Sequence, residues 1–236
     1  MSKEYTCLGM MSGTSGDGVD ASVVRSDGLD KFSILKEKYF NYDDKLFKEF
    51  HFLKEKINSL DDLKRFSSSI KKLENDITIF HAKVFNEMNN GLHLDLIGFH
   101  GQTLYHNPQE KISIQLGNGG LLSQLSKKKV VFNFRKNDIK NNGEGAPLAP
   151  IYHYLLSKII YPEKSCIFLN IGGISNFTYC NEDQLIAKDI GPGNVLIDEY
   201  LKKTKNIEFD KDGLIASSGT VNIDTINQFI EHDIYN

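Results

Sequence analysis

The stretch Ser12-Gly13-Thr14-Ser15-Gly16-Asp17-Gly18 constrains this chain more than any other. It joins two apolar, strand-like runs, residues 5–11 and 19–26. A connection so polar and so rich in glycine interrupts any helix, and the flanking runs read as an antiparallel hairpin. Gly13, Gly16 and Gly18 let the backbone take positive φ and come close to a ligand. The hydroxyls of Ser12, Thr14 and Ser15, with the free amides of such a turn, can form a nest for an anion. Asp17 and Asp20 add carboxylates able to hold a hydrated Mg²⁺ through water, with no direct protein ligation of the metal implied. An ordinary polar hairpin loop has the same composition, so the loop alone leaves both readings open. It is not a Walker loop, because no Gly-Lys-Ser/Thr follows, nor a dinucleotide fingerprint, because no helical pattern begins behind it.

The rest of the chain alternates between strand and helix patterns. A third strand-like run covers 32–42, and residues 43–90 carry apolar side chains at helical spacing, among them Leu60, Leu63, Phe66, Ile70, Leu73 and Ile77. A short apolar strand, 94–99, ends at His100-Gly101-Gln102-Thr103, a cluster suited to hydrogen bonding a polyhydroxyl ligand. A histidine there is equally well a structural residue. Then come a strand at 112–116, a helix at 120–128, a strand at 130–134 and a polar loop at 135–145. In that loop Arg135 could offer a guanidinium to a carboxylate, with Asp138 close by in sequence. Pro147 and Pro150 suit the start of a helix that continues to 160.

A second strand series follows. Residues 166–170 lead through Gly172-Gly173 to 177–180, and the paired glycines would admit a phosphate or make a plain tight hairpin. The run 185–190 ends in Asp189-Ile190-Gly191-Pro192-Gly193-Asn194, before a helix at 195–203. Strand, carboxylate, glycine turn and helix N-terminus in that order would direct amides and a positive dipole at a ligand above the strand. Asp189 is then a candidate general base, or simply the cap of the turn. A last helical pattern covers 223–234.

Hydrophobic residues at 40% and charged residues at 25% are those of a globular protein and exclude collagen-like and disordered classes. A net charge of −3, with lysines interleaved among acids, gives no basic stripe, so nucleic acid is not an expected partner. The three cysteines, Cys7, Cys166 and Cys180, lack metal-ligand spacing and read as free thiols in a reducing compartment. No secretory leader pattern opens the sequence, and no apolar run approaches the ~20 residues that span a bilayer, so a cytoplasmic protein without a membrane partner is expected. The plan strand, glycine turn, strand recurs near 5–27 and 165–180, which predicts an α/β protein of two related halves, 1–150 and 151–236.

Together these segments resemble one family. Gly9-Met10-Met11-Ser12-Gly13-Thr14-Ser15 with Asp17-Gly18, His100-Gly101-Gln102-Thr103, Gly145-Ala146-Pro147-Leu148, Asn170-Ile171-Gly172-Gly173-Ile174, Gly191-Pro192-Gly193-Asn194 and Asp210-Lys211-Asp212-Gly213 are similar to the anhydro-N-acetylmuramic acid kinases, in the family's order. The resemblance implies the two-domain actin/Hsp70/sugar-kinase (ribonuclease H-like) fold, with ATP and sugar between the domains. It implies that Gly13, Thr14, Ser15, Gly16, Asp17, Gly18, Val19 and Asp20 form the first phosphate loop, and that Gly172 and Gly173 belong to the second. Asp189 matches the catalytic aspartate, and His100, Gln102, Thr103, Arg135 and Asn194 would line the sugar side. ATP, Mg²⁺, a small-molecule sugar substrate and a homodimer are the cofactors and partners so implied. The implied reaction opens the 1,6-anhydro bond of 1,6-anhydro-N-acetylmuramic acid and phosphorylates it, giving N-acetylmuramate 6-phosphate and ADP in murein recycling. A murein-sugar-binding protein that no longer turns over, or a kinase for another sugar, is the competing expectation.

Three positions depart from the family's pattern. Gly16 stands in place of a usual Leu, Ile190 in place of a Thr, and Asn133 in place of an Asp before Phe134-Arg135. The last removes a negative charge expected near the metal and phosphates. Family members run roughly half as long again, so the resemblance also implies a second domain reduced to its opening sheet and first helices.

Overall fold

The computed structural model describes residues 3–13, 15–107 and 109–231. Thr14 and the end of the 223–234 helical pattern lie outside the described residues. The chain forms two compact units, Met1–Glu163 and Lys164–Asn236.

The first unit opens with β1 (Tyr5–Ser12), β2 (Gly18–Ser26) and β3 (Phe32–Asn41), an antiparallel meander in which Met11 faces Asp20 across the glycine turn. Alternation along β1 and β2 sends Leu8, Met10, Val19, Ala21 and Val23 to one face, all nearly inaccessible to solvent. Helices α1 (Asp44–Lys56), α2 (Leu60–Arg65) and α3 (Ser67–Met88) follow. Asp43 caps α1 by accepting the Leu46 amide at 2.8 Å, and Phe50 and Leu53 project from it into the core. Helix α3 presents Leu73, Ile77, Val84, Phe85 and Met88 to the same core, the apolar stripe of a helix lying on a sheet.

Strand β4 (Leu96–Asn107) lies parallel to β1 and continues beyond Phe99, whereas the apolar pattern predicts a strand ending there. The reason is a bulge. Phe99 pairs with Met10 and Gln102 with Ser12, so β4 carries an extra residue, and Gly101 absorbs it at φ 74°. A Cβ at Gly101 would meet the Leu116 carbonyl. Past the bulge β4 pairs antiparallel with β5 (Ile112–Leu116), while its first half pairs parallel with β6 (Lys129–Phe132), which follows α4 (Gly119–Ser126). The result is a mixed six-stranded sheet.

The polar stretch predicted as a loop from Arg135 is instead helical: α5 (Phe134–Lys140) starts at Asn133, which takes the left-handed conformation that asparagine tolerates. Only Ile139 is buried in α5, too little for an apolar period to show in the sequence. Helix α6 (Pro150–Ile160), with proline in its first turn, completes the first unit.

The second unit repeats the opening plan. Strands β7 (Cys166–Ile171), β8 (Ile174–Cys180) and β9 (Leu185–Pro192) form an antiparallel meander with Gly172-Gly173 between the first two. Helix α7 (Val195–Lys205), a short 3₁₀ turn (Lys211–Gly213), α8 (Leu214–Ser217) and α9 (Ile223–Ile230) follow. Cys180 is buried, and Cys7 and Cys166 are half-buried. Among the described residues no helix is long and apolar enough to cross a membrane.

Replacing Asp43 by Ala removes the α1 cap and should lower the unfolding free energy by about 1 kcal/mol, read by chemical denaturation.

Candidate functional site

The first glycine loop is built over an aromatic floor. Gly16 holds φ 70°, and a Cβ there would collide with the ring of Phe50, itself fully buried. Gly18 lies against the Phe40 carbonyl and the Tyr39 hydroxyl, with no room for a side chain. The two glycines therefore serve the seating of the loop as much as its flexibility. Glycine is the residue that fits at positive φ directly above a phenyl ring.

The carbonyl of Gly13 accepts from the Gly16 amide at 3.2 Å and from Gln102 Nε2 at 2.7 Å. Gln102 is completely buried by the β4 bulge, and its Oε1 accepts from the Tyr42 hydroxyl at 3.3 Å. Ser12, also buried, places its Oγ 3.0 Å from Tyr42 Oη and 3.4 Å from His81 Nε2. His81 Nδ1 lies 2.8 Å from the Ile77 carbonyl, one turn back in α3. It therefore carries the proton and donates, leaving Nε2 as an acceptor. Burial above all lowers the His81 pKa to about 4 against the raising effect of the Ile77 bond, so the ring is neutral at physiological pH.

Above this buried layer the loop offers polar groups to solvent. Ser15 Oγ donates to Asp17 Oδ1 at 2.6 Å, and the Asp17 carbonyl accepts the Tyr42 amide at 2.8 Å. Burial pushes the Asp17 carboxyl up, but hydrogen bonds from Ser15 and Tyr39, its own amide and the charge of His51 together hold it below the usual carboxylate range. Burial and then the Asp17 charge push Asp20 up. Val19 is fully buried, so only its backbone belongs to the loop.

The remaining first-unit candidates lie on β4 and at or within α5. Arg135 Nε donates to His100 Nε2 at 2.9 Å, and His100 Nδ1 donates to the Gly101 carbonyl at 2.7 Å. Burial and the Arg135 charge keep the imidazole below its ordinary pKa, the Gly101 bond acting in the opposite sense. With both ring nitrogens engaged, His100 acts by fixing Arg135. Thr103 Oγ1 accepts from Gln115 Nε2 at 3.4 Å. Asp138 accepts the Gly145 amide at 2.7 Å and so folds the 143–145 turn back onto α5. Asn133 lines an open groove of about 640 Å³ with Lys111, Gln115 and Lys136.

In the second unit the glycine turn and the start of α7 are strapped together. The amides of Gly193, Asn194 and Val195 donate to the carbonyls of Gly173, Gly172 and Gly173 at 2.8, 2.7 and 3.2 Å. These amides are consumed inside the protein, whereas the sequence pattern predicts them free for a ligand. Asn194 Nδ2 also donates to the Ile171 carbonyl at 3.3 Å. In β9 the pairs Ser175–Gly191 and Asn176–Asp189 leave Ile190 as a bulge residue, and Asp189 is exposed. Among the described residues no three His, Cys, Asp or Glu side chains cluster as a direct metal site.

Sequence reasoning did not single out Tyr42 and His81. His81 had a signal: it stands four residues beyond Ile77 and four before Phe85, the polar member of an apolar helix face. Tyr42 had none, being one more aromatic at the end of a strand.

These features define an α/β protein that carries a glycine- and serine-rich loop on a mixed sheet in one unit and a second glycine turn on a related meander in the other. The profile of the family described as anhydro-N-acetylmuramic acid kinase matches residues 5–236, and the chain belongs to that family. The anhydro-N-acetylmuramic acid kinase of Pelagibacter ubique (strain HTCC1062) is 48% identical over 237 residues, covering 98% of this chain and 63% of the relative. That of Brucella canis (strain ATCC 23365 / NCTC 10854 / RM-666) is 36% identical, covering 97% and 63%, and that of Agrobacterium fabrum (strain C58 / ATCC 33970) 35%, covering 100% and 65%. The chain thus spans less than two thirds of the length of these relatives.

Two measurements probe the loop's foundation. Gly16→Ala should destabilise the first unit by about 1–3 kcal/mol in chemical denaturation, with Phe50→Leu restoring part of the loss. His81 is neutral in the folded state with a pKa lowered to about 4 against 6.5 unfolded. The unfolded chain therefore binds the extra proton first, and stability should fall as pH drops from 6.5 toward 4. The slope of unfolding free energy against pH in that window should be shallower in His81→Gln.

Proposed function

We propose that the protein of which this chain is all or part is an ATP-dependent kinase acting on 1,6-anhydro-N-acetylmuramic acid. The observation that carries the reading is the first loop. Its glycines are pinned to Phe50 and Gln102, and Ser15, Asp17 and Asp20 stand at the surface. Such an anchored, polar turn suits a triphosphate, for which catalysis is mainly positioning and charge stabilisation. The ionised Asp17 and neighbouring Asp20 form an oxygen donor set that fits a hard cation held through water, and Mg²⁺ bound there would offset phosphate charge.

The fold reading is the actin/Hsp70/sugar-kinase architecture, supported by two meanders of the same plan, each with a glycine turn between its first two strands. An incomplete second domain accords with the exposure of Ile167, Leu169 and Ile171 on β7, at 68%, 58% and 58%. The two domains are read as 1–150 and 151–236, and Gly172 and Gly173 as the second phosphate turn.

In the proposed reaction Asp189 takes a proton from a water that attacks the anomeric carbon. The bond from that carbon to O6 breaks, and O6 attacks the γ-phosphate, releasing ADP. Asp189 is exposed and, among the described residues, its carboxylate makes no hydrogen bond or ion pair, so it is open to a water. Arg135, oriented by His100, is assigned to the lactyl carboxylate or a sugar oxygen, with Thr103 and Asn194 on the sugar side and Gln102 holding the loop.

A sugar-binding protein without turnover is the second reading, favoured by Asn133, whose uncharged side chain opens α5 where the family carries Asp. ADP release from Mg-ATP with 1,6-anhydro-N-acetylmuramic acid separates the two, since binding without release supports only the second. Asp189→Asn should reduce turnover by at least about a thousandfold while retaining sugar affinity, and near-normal turnover would remove Asp189 from its role.

A further inference from the structure

Tyr42 lies outside every motif of the chain, yet it joins the buried groups behind the first loop. Its hydroxyl is 3.0 Å from Ser12 Oγ and donates to Gln102 Oε1 at 3.3 Å, and Gln102 Nε2 donates to the Gly13 carbonyl at 2.7 Å. Tyr42 is 7% exposed, Ser12 1%, and Gln102 and His81 not at all. We infer that Tyr42 is a positioning residue of the first phosphate loop, acting through the orientation of Gln102. This rests on reading the loop as a phosphate site.

A glutamine amide can turn over and exchange its oxygen and nitrogen. Turned over, Gln102 would set Oε1 against the Gly13 carbonyl oxygen, a repulsive pair, and the loop would lose its 2.7 Å tie. A hydroxyl proton aimed at the other end of the amide selects the orientation that donates to Gly13. His81 supplies no proton to this chain of contacts. Because Nδ1 donates to Ile77, Nε2 is bare, and the contacts His81–Ser12, Ser12–Tyr42 and Tyr42–Gln102 share only the two hydroxyl protons. The longest contact, Ser12 to His81 at 3.4 Å, is the one best left without a proton. Ser12 then donates to Tyr42, and Tyr42 to Gln102.

Tyr42→Phe removes that proton while keeping the ring, and Gln102→Glu removes the donor to Gly13 while keeping Tyr42. In the full-length protein both should speed hydrogen exchange of the Gly16 amide, which shares the Gly13 carbonyl, by roughly tenfold without ligand. Both should weaken Mg-ADP in calorimetry by a similar factor, Tyr42→Phe should leave sugar affinity unchanged, and the double variant should be little worse than either single variant. Unchanged exchange at Gly16 would overturn the assignment, as would faster exchange throughout the first unit, which marks a merely structural role. Wild-type protein that fails to bind Mg-ADP would overturn the phosphate-site reading and the assignment resting on it. The ligand-free exchange arm shows separately whether the latch itself exists.

Discussion

The hydrogen bond from Gln102 to the Gly13 carbonyl, 2.7 Å long, ties the first loop to the interior of the sheet. A buried amide must have its partners, and Gln102 finds both: the Gly13 carbonyl at one end and the Tyr42 hydroxyl at the other. To meet them the side chain has to enter the core, which the extra residue at Gly101 arranges by shifting the register of β4 against β1. The bulge, the positive φ of Gly16 over Phe50 and the buried polar layer are therefore one construction. Without the layer beneath it the loop would be an ordinary hairpin connection.

The same buried layer separates charge from core. Within it His81 stays neutral because burial disfavours its cation. Above it Asp17 stays ionised because Ser15 and Tyr39 donate to it, and Asp20 feels that charge. Elsewhere in the first unit the Arg135 guanidinium, held by His100, supplies the opposite sign.

The second unit treats its glycines differently. Gly172 and Gly173 are close enough to the start of α7 for three amides to bond their carbonyls, and a Cβ at Gly193 would strike the Gly172 carbonyl. The glycine-rich pattern 191–194 thus reflects close backbone approach as well as any ligand. The loop pattern could be read in both units, but its local use could not. Hydrogen bonds between segments 20 residues apart leave no periodic mark on either. Along the chain, alternation gave β1 and β2 and helical spacing gave α3, because each of these buries one regular face. It failed at α5, where one buried side chain carries no period, and at β4 beyond Phe99, where polar residues continue a strand by pairing with β5.

Sequence by itself determined the α/β class, the two glycine turns and the family, since all three are written in short-range pattern and ordered motifs. Tertiary structure alone decided which of the motif's side chains face outward. Gln102 and Ser12 turned inward to satisfy buried partners, Val19 joined the core, and His100 was spent on orienting Arg135. It also brought Tyr42 and His81 beneath the loop from positions 30 and 69 residues away from Ser12 in the chain. A buried polar atom must be satisfied by whatever group the fold delivers to it, and that group is fixed by packing rather than by sequence neighbourhood.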